Sequence, residues 1–540
     1  MPPRSFFPFL IAFLVLRFVF WFSTFPNPDE AYYWLWGQHP DLSYYDHPPL
    51  QAWVEGTVTA VLGRSKFVLR LPNLISNGLF FYTYYKIAAY LYGKDAHRHF
   101  WTLVLLVLAS PLYFLFLALA WHDHLLITFS LISAYLFIRF LDGYLIDGKG
   151  ESWRLYSSAG AIALAGLCKY NAVFVVLGLV AAVVTNKRLR PLVHDRRMYL
   201  AGAIAASALI PILLWNVFND FQSFHYYVDR SVNTGNFSLK VGPCLNFLLF
   251  SLLLVSPFNW IGFVRVWKQH NQFMHSHSTY ASVAFWVFIL PTVTLTIISL
   301  LSAALYYWNI TAYLLLFPLV PAVFQKAESS GQKTKETKSR SHEVTEIQNT
   351  QHSALSTQHS ASPQNSKLKT QNSNPPLSPL FWGGQFYGLL FAALLVVHYS
   401  VLPISALFSQ QEDPDSRMLF GWDEVAAVVK TEAAATGLNP FLVTTDYRSA
   451  SALAFQLNDR NVMAISDRVD QFDFWYTHDR TFKGRNAVIL SDDWHPIQPE
   501  LLSQFERTSA SLRVSVTRFG IWIKNYTVLK AYKFKGGKVS

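Results

Sequence analysis

Long apolar runs separated by short polar turns occupy most of the chain up to residue 324, and one more follows near residue 381. They fall at roughly 6–22, 67–92, 100–119, 125–141, 156–168, 171–185, 199–217, 245–264, 280–303, 305–324 and 381–404. A membrane-crossing helix takes about 20 residues, so the pattern predicts about eleven spans. The runs 156–168 and 171–185 are short, which predicts tilted helices or a hairpin with Lys169-Tyr170 at its tip. Arg4 ahead of the first run imitates a secretory signal. However, Trp21-Phe22-Ser23-Thr24-Phe25 lacks a small-x-small cleavage site, so the run is read as an uncleaved first helix.

The pattern changes twice after the tenth run. Residues 327–379 are rich in Ser, Gln, Thr, Asn and Lys and carry too little apolar surface to offset chain entropy, which predicts a disordered cytoplasmic linker. The last span is placed at 380–405. Residues 406–540 combine an amphipathic segment at 422–435 with β-rich runs at 441–445, 462–465, 487–490, 514–517 and 521–523. With 449–457 as a further helix, they predict a small α/β domain. Residues 1–326 then form a transmembrane module whose first outer loop runs from 23 to 66.

Charge orients this arrangement. Lys94 and Arg98, Lys149 and Arg154, the group from Lys187 to Arg197, and Arg265 and Lys268 recur in alternate loops, whereas the intervening loops hold fewer cations. The positive-inside rule therefore predicts a multi-pass protein of the cell (inner or plasma) membrane with a cytoplasmic N-terminus and an extracytoplasmic C-terminal domain. Only 14% of residues are charged and 52% are hydrophobic, against about 25% charged in a soluble domain. The net charge of +11 is spread over these loops, so no nucleic-acid partner is expected. Cys168 and Cys244 sit in or beside apolar runs and offer neither a disulfide framework nor a metal motif.

Chemistry concentrates in the first loop, Asn27 to Leu50, where Asp29-Glu30 and Asp46-His47 lie among six tyrosines and tryptophans. Aromatic rings suit a membrane–water boundary, but acids beside it are costly without a task. The predicted topology puts Arg70, the Trp121-His122-Asp123-His124 connection, the Lys169-Tyr170 tip, and His225, Asp229 and Arg230 on the same side. Such a set suits transfer of a group from a lipid-linked phosphate, with a carboxylate as base and cations or a metal on the leaving phosphate. His122, Asp123 and His124 could hold a divalent ion together with Asp46, although positions i and i+2 of one helix point apart. The other reading of that triplet is a polar helix start with Asp123 as a cap. For Lys169 the other reading is a lysine snorkelling at a helix end.

The segment PDEAYYWLWGQHPDLSYYDHPPLQAW closely resembles the first extracytoplasmic loop of glycosyltransferase family 39 and its relatives, which include protein O-mannosyltransferases and the aminoarabinose transferases that modify lipid A. Arg70-Leu71-Pro72-Asn73, Asp123-His124-Leu125-Leu126, Gly166-Leu167-Cys168-Lys169-Tyr170 and the tail stretch from Arg468 to Trp475 carry the resemblance further. It implies a GT-C membrane fold and inverting transfer of a hexose or pentose from a polyprenyl-phosphate donor. Asp29 and Glu30 match the family's catalytic Asp-Glu motif. Asp46 and His47 match an acid and a cation near donor phosphate or metal, Asp123 the second loop's acid, and Lys169, with Tyr170 and Arg70, candidate phosphate contacts. One departure is Tyr306-Tyr307-Trp308, where many relatives carry a His-Trp pair. If that histidine serves donor or metal, its absence counts against a metal-dependent mechanism.

The resulting expectation is an α-helical polytopic membrane protein of GT-C type with a small C-terminal α/β domain. It transfers a sugar from a polyprenyl phosphate to a lipid, glycan or protein acceptor, with a divalent metal ion as an optional cofactor. A transporter or flippase of lipid-linked sugars is the rival, but it predicts internal repeats and ionisable groups near mid-bilayer. No repeat stands out, and the acids gather at one face. A scaffold whose outer domain binds glycan without turnover is the third reading.

Overall fold

The computed structural model describes residues 3–231, 239–302, 304–324, 377–437, 439–466, 468–476 and 482–536. Four helices among them are each long and apolar enough to cross a membrane: Arg4–Ser23, His122–Asp147, Ser278–Leu301 and Pro379–Val401. Three bent helix pairs meet the same test when each is taken as one span, giving up to seven by length and composition. On the first helix Ile11, Val15, Phe18 and Phe22 point outward with about half their surface uncovered. An outward apolar stripe of this kind is what lipid covers. The chain is a multi-pass membrane protein.

Several apolar runs are not single straight helices. The run 245–264 is two helices, Val241–Val255 and Pro257–Lys268, meeting at 96°. Pro257 lacks an N–H and disfavours the helical region for Ser256, which takes φ 88°. The carbonyls freed at the break find side-chain donors: Tyr387 Oη on Leu253 (2.7 Å), Ser110 Oγ on Leu254 (3.2 Å) and Asn259 Nδ2 on Val255 (2.8 Å). The run 199–217 bends by 45° between Arg196–Ala206 and Leu209–Phe218, and 305–324 bends by 51° between Tyr306–Tyr313 and Phe317–Phe324. The run 100–119 stops being helical at Phe116.

The expected first loop contains two helices, Pro28–Gln38 and Leu50–Leu62. They cross at Gly37 and Gly56, where a Cβ on either residue would overlap the other's backbone. Only glycine permits this approach. The helix Lys66–Tyr92 carries a buried polar face of Arg70, Asn73, Ser76 and Asn77, which a hydropathy average does not favour but which has a local task. Residues 117–121 unwind from the helix through a last turn, with the Leu117 and Leu119 N–H groups on the Tyr113 and Leu115 carbonyls (3.1 and 2.9 Å), and side chains from other elements satisfy the polar groups that the turn leaves open. Asn77 Nδ2 donates to the Leu117 carbonyl (3.1 Å), Trp21 Nε1 to that of Ala118 (2.9 Å), and the Ala120 N–H to Glu30 (2.7 Å). This turn delivers Trp121 and Asp123 to one end of the helix bundle.

The C-terminal domain is a six-stranded sheet in which β1 (Phe441–Thr444) lies between β2 (Met463–Ala464) and β3 (Ala487–Asp492), all parallel. The helix Tyr447–Leu457 makes the β1–β2 crossover. Three further strands, β4 (Phe505–Thr508), β5 (Leu512–Arg518) and β6 (Ile521–Phe534), extend it antiparallel. The expected run 521–523 is thus the start of a fourteen-residue strand, and β4 was not marked by any apolar alternation. Phe519 and Gly520, both at positive φ, form the tight β5–β6 turn. One hydrophobic cluster joins Tyr32, Trp34 and Trp36 of the first-loop helix to Trp422, Phe455 and Val528 of this domain. The linker expected at 327–379 lies, as far as residue 376, outside the described residues.

Candidate active site

Asn27 starts the helix Pro28–Gln38 with a capping box: its side-chain oxygen accepts the Asp29 N–H (3.1 Å), and Glu30 Oε2 accepts the Asn27 N–H (2.8 Å). Adjacent helical residues diverge by about 100°, and the two acids take opposite sides. Glu30 turns inward. Its Oε1 accepts from Arg70 Nε (2.8 Å) and its Oε2 from Arg70 Nη2 (2.6 Å), and both side chains are fully buried. Arg70 spends its remaining donors on backbone carbonyls, including that of Thr24 (3.1 Å). Glu30 as a catalytic acid and Arg70 as a phosphate contact are therefore corrected: the pair ties helix Lys66–Tyr92, the first-loop helix and the 117–121 segment together, and neither lines the cleft.

Asp29 turns outward into a cleft of ≈ 400 Å³. Burial, then the nearby Asp415 carboxylate, push its carboxyl up to about 6, against the opposing pull of Arg448. Around it the structure brings together Asp46, His47, Asp123, Lys169 and Tyr170, as expected from topology. Lys169 Nζ lies 2.9 Å from Asp123 Oδ2 and 4.9 Å from the Tyr307 ring centroid. The tip reading holds geometrically, since Lys169 and Tyr170 sit between helices Ser152–Cys168 and Ala172–Thr185. Arg468 Nη2 donates to Asp46 Oδ1 at 2.7 Å. The His47 ring packs 4.6 Å from that of His122, which stands edge-on to Tyr33 at 4.2 Å.

The His122-Asp123-His124 triplet divides. His124 Nδ1 shares a 2.7 Å hydrogen bond with Ser76 Oγ and is fully buried away from the cleft. Asp123 alone of the three lines the cleft. A shared metal shell from these residues and Asp46 does not fit, because Asp46 and Asp123 already face cationic side chains. Among the described residues, metal-ligand spacing occurs only in Asp446, Asp492 and His495 of the C-terminal domain. There the Lys524 ammonium, 2.7 Å from Asp492 Oδ2, takes the position of a cation.

Sequence reasoning missed the C-terminal domain's share of the cleft, namely Tyr447, Arg448 and Arg468. The stretch from Arg468 to Trp475 was the available signal. Gln471 within it accepts the Tyr45 N–H (2.7 Å) and gives its own N–H to Tyr32 Oη (2.8 Å), docking the domain on the first loop. Helix Gln222–Ser231 brings Tyr226 to the cleft. The far end is apolar, with Val173, Phe174, Leu295 and Ile298. Asn171 Nδ2 holds the Trp308 carbonyl at 2.8 Å and fixes the wall between the two ends. A carboxylate, several cations and an apolar recess open into one space.

Residues 46–215 match the family described as dolichyl-phosphate-mannose-protein mannosyltransferase. The chain is 25% identical over 317 residues to the lipid A galacturonosyltransferase RgtD of Rhizobium johnstonii, a match taking in 58% of this chain and 64% of that protein, just under two thirds of its length. Its fold is similar to that of ArnT from Cupriavidus metallidurans in the apo state, with TM-score 0.60 and 14% identity over 96% of this chain and 97% of that one. The undecaprenyl-phosphate-bound structure of ArnT gives TM-score 0.59 and 15% identity with the same coverage. The resemblance drawn from the first loop is borne out.

Proposed function

We propose that this chain, an aminoarabinose-transferase-like member of the GT-C membrane glycosyltransferases, transfers a sugar from a polyprenyl-phosphate donor to an acceptor whose best-supported class is a lipid. The observation that carries this is the placement of Asp29 in one cleft with Lys169, Arg448 and Arg468 at a polar end and an apolar recess behind them. The recess suits the prenyl chain next to its phosphate, and the cations suit the phosphate. RgtD is named for lipid A as acceptor, and ArnT was solved with undecaprenyl phosphate.

In the reaction the acceptor oxygen attacks the anomeric carbon, and the bond from that carbon to the phosphate oxygen breaks with its electron pair going to the phosphate. If the acceptor is a hydroxyl, Asp29 takes its proton. If it is an ionised phosphate, Asp29 orients it and steadies the positive charge growing on the sugar ring. The departing phosphate gains one negative charge, which Lys169 and the two arginines offset. His47 stands where a further donor contact is useful. Asp46 and Asp123 are engaged by Arg468 and Lys169, and no step is routed through a metal.

The alternating loop charges support a cytoplasmic N-terminus with the cleft and C-terminal domain on the extracytoplasmic side of the inner or plasma membrane. The same reading divides the chain into a catalytic membrane module to residue 326, a linker, a last span and an outer domain. A transporter needs a path through the bundle, whereas this cleft lies at one end of the helices and is roofed by the C-terminal domain. The test is Asp29→Asn in reconstituted protein supplied with undecaprenyl-phosphate-linked sugars and lipid A. Loss of transfer with unchanged membrane insertion is expected; full transfer would overturn the assignment.

A further inference from the structure

A second cleft, ≈ 230 Å³, opens in the C-terminal domain beside the first and shares Tyr447, Arg448 and Arg468 with it as a common wall. Its floor is built from the carboxyl ends of the parallel strands: Thr445 and Asp446 follow β1, Ile465 and Ser466 follow β2, and Trp494 and His495 follow β3. The crevice beyond the carboxyl ends of parallel strands is the recurrent ligand position of open α/β sheets. Here it also receives the N-terminus of helix Tyr447–Leu457.

The floor is fixed from below. Asp492 Oδ1 accepts the N–H groups of Trp494 (3.0 Å) and His495 (2.8 Å), and the imidazole Nδ1–H of His495 donates to the same atom (3.0 Å). That bond holds His495 toward its charged form, with Asp446 also nearby at 3.7 Å from Nε2. Lys524 neutralises Asp492 at 2.7 Å and stacks on the Trp494 ring, 3.4 Å from its centroid. Asp446, the one carboxylate that lines the cleft, spends an oxygen capping the Arg448 and Ser449 N–H groups. Arg448, which also faces Glu412 at 3.6 Å, Arg468, which also holds Asp46, and His495 are the basic groups lining the space, and guanidinium groups favour planar anions such as phosphate and carboxylate.

Resting on the glycosyltransferase reading, the geometry points to this second cleft as the acceptor subsite, which holds a phosphate- or carboxylate-bearing sugar headgroup while the adjoining cleft holds the lipid-linked donor. The shared arginine wall then does two things. It sets the acceptor's attacking oxygen against the donor across Tyr447, and it screens two anionic substrates from each other. The C-terminal domain is on this account the part of the molecule that recognises the acceptor.

The test uses the full chain in nanodiscs and equilibrium dialysis with N-acetylglucosamine 1-phosphate, neutral N-acetylglucosamine and inorganic phosphate as probes, each with and without undecaprenyl phosphate. Gln498 lies exposed at the helix start by the cleft mouth, so Gln498→Glu adds a negative charge there without disturbing packing. We expect the sugar phosphate to bind without displacement by undecaprenyl phosphate, and at least tenfold more tightly than the neutral sugar. Gln498→Glu should weaken it about tenfold and leave undecaprenyl phosphate binding and the melting temperature unchanged. Displacement by undecaprenyl phosphate, indifference to Gln498→Glu, or a need for a divalent cation overturns the subsite. Equal binding of inorganic phosphate overturns headgroup recognition and leaves a free-anion site. Failure of the sugar phosphate alone overturns only this inference, whereas failure of undecaprenyl phosphate to bind the wild type overturns the glycosyltransferase reading.

Discussion

Arg468 Nη2 reaches Asp46 Oδ1 at 2.7 Å across 422 residues of sequence. The contact joins the first loop to the C-terminal domain at the lip of the cleft, and the same guanidinium lies 4.9 Å over the Tyr447 ring. With 43% of the arginine side chain exposed, a pair of this kind contributes at most about 1 kcal/mol to stability. Its weight falls on substrate. Arg468→Ala should lower transfer at least tenfold while shifting the melting temperature little, as turnover and thermal scans on one preparation would reveal.

The raised Asp29 carboxyl sets a pH dependence. The working form is ionised, so the rate should climb tenfold per pH unit below about 6 and level off above it. Asp415 contributes to the upward shift, so Asp415→Asn should move the midpoint of the profile to lower pH. Stability runs the other way. The unfolded carboxyl ionises near pH 4 and the folded one near 6, so the folded state loses stability as pH rises through that window. Asp29→Asn should remove the loss and melt no lower than wild type at pH 7 while being inactive.

Glu30 predicts the opposite phenotype from its neighbour. Removing one partner of the fully buried Arg70 pair leaves an uncompensated charge, at a cost of about 3–5 kcal/mol. Glu30→Gln or Arg70→Met should reduce the yield and melting temperature of the membrane protein. Whatever fraction folds should keep its pH midpoint. A normal melting temperature with a shifted midpoint would return Glu30 to the chemistry.

Gly37 and Gly56 offer a packing test. A methyl at either position overlaps backbone and not a movable side chain, and overpacking of this kind costs about 1–3 kcal/mol. Gly37→Ala should move the Asp29 helix as well as destabilise it, so turnover should fall more than substrate binding.

Chelation addresses charge compensation at the leaving phosphate. With Lys169, Arg448 and Arg468 at the cleft, transfer measured after exhaustive dialysis against a chelator should match the untreated rate. Restoration by added magnesium or manganese would require a metal shell that these side chains do not form.

The sequence was informative where chemistry follows local pattern. The predicted topology put Asp29, Asp46 and the Lys169-Tyr170 tip on one face, and the resemblance of the first loop singled out its two acids. It was silent where the decisive partner is distant. Nothing around Glu30 says that its carboxylate faces Arg70 forty residues on and not solvent, because a 100° turn of a helix separates the two fates. Hydropathy runs also cannot separate a straight span from two helices at 96°, since both are apolar throughout; Pro257 was the local mark. Arg448 and Arg468 were legible only as charges in a soluble tail, because their role depends on how that tail docks on Tyr32 and Tyr45.

That docking gives synthesis an order. The ribosome emits Asp29, Asp123 and Lys169 early, long before Arg448, Arg468 and the C-terminal face on which the Asp29 helix packs exist. The unfinished protein lacks Tyr447, Arg448 and Arg468 from the wall of its cleft. Under the proposed reaction, competence arrives with the last stretch of the chain, and a product truncated before Tyr447 should show no transfer.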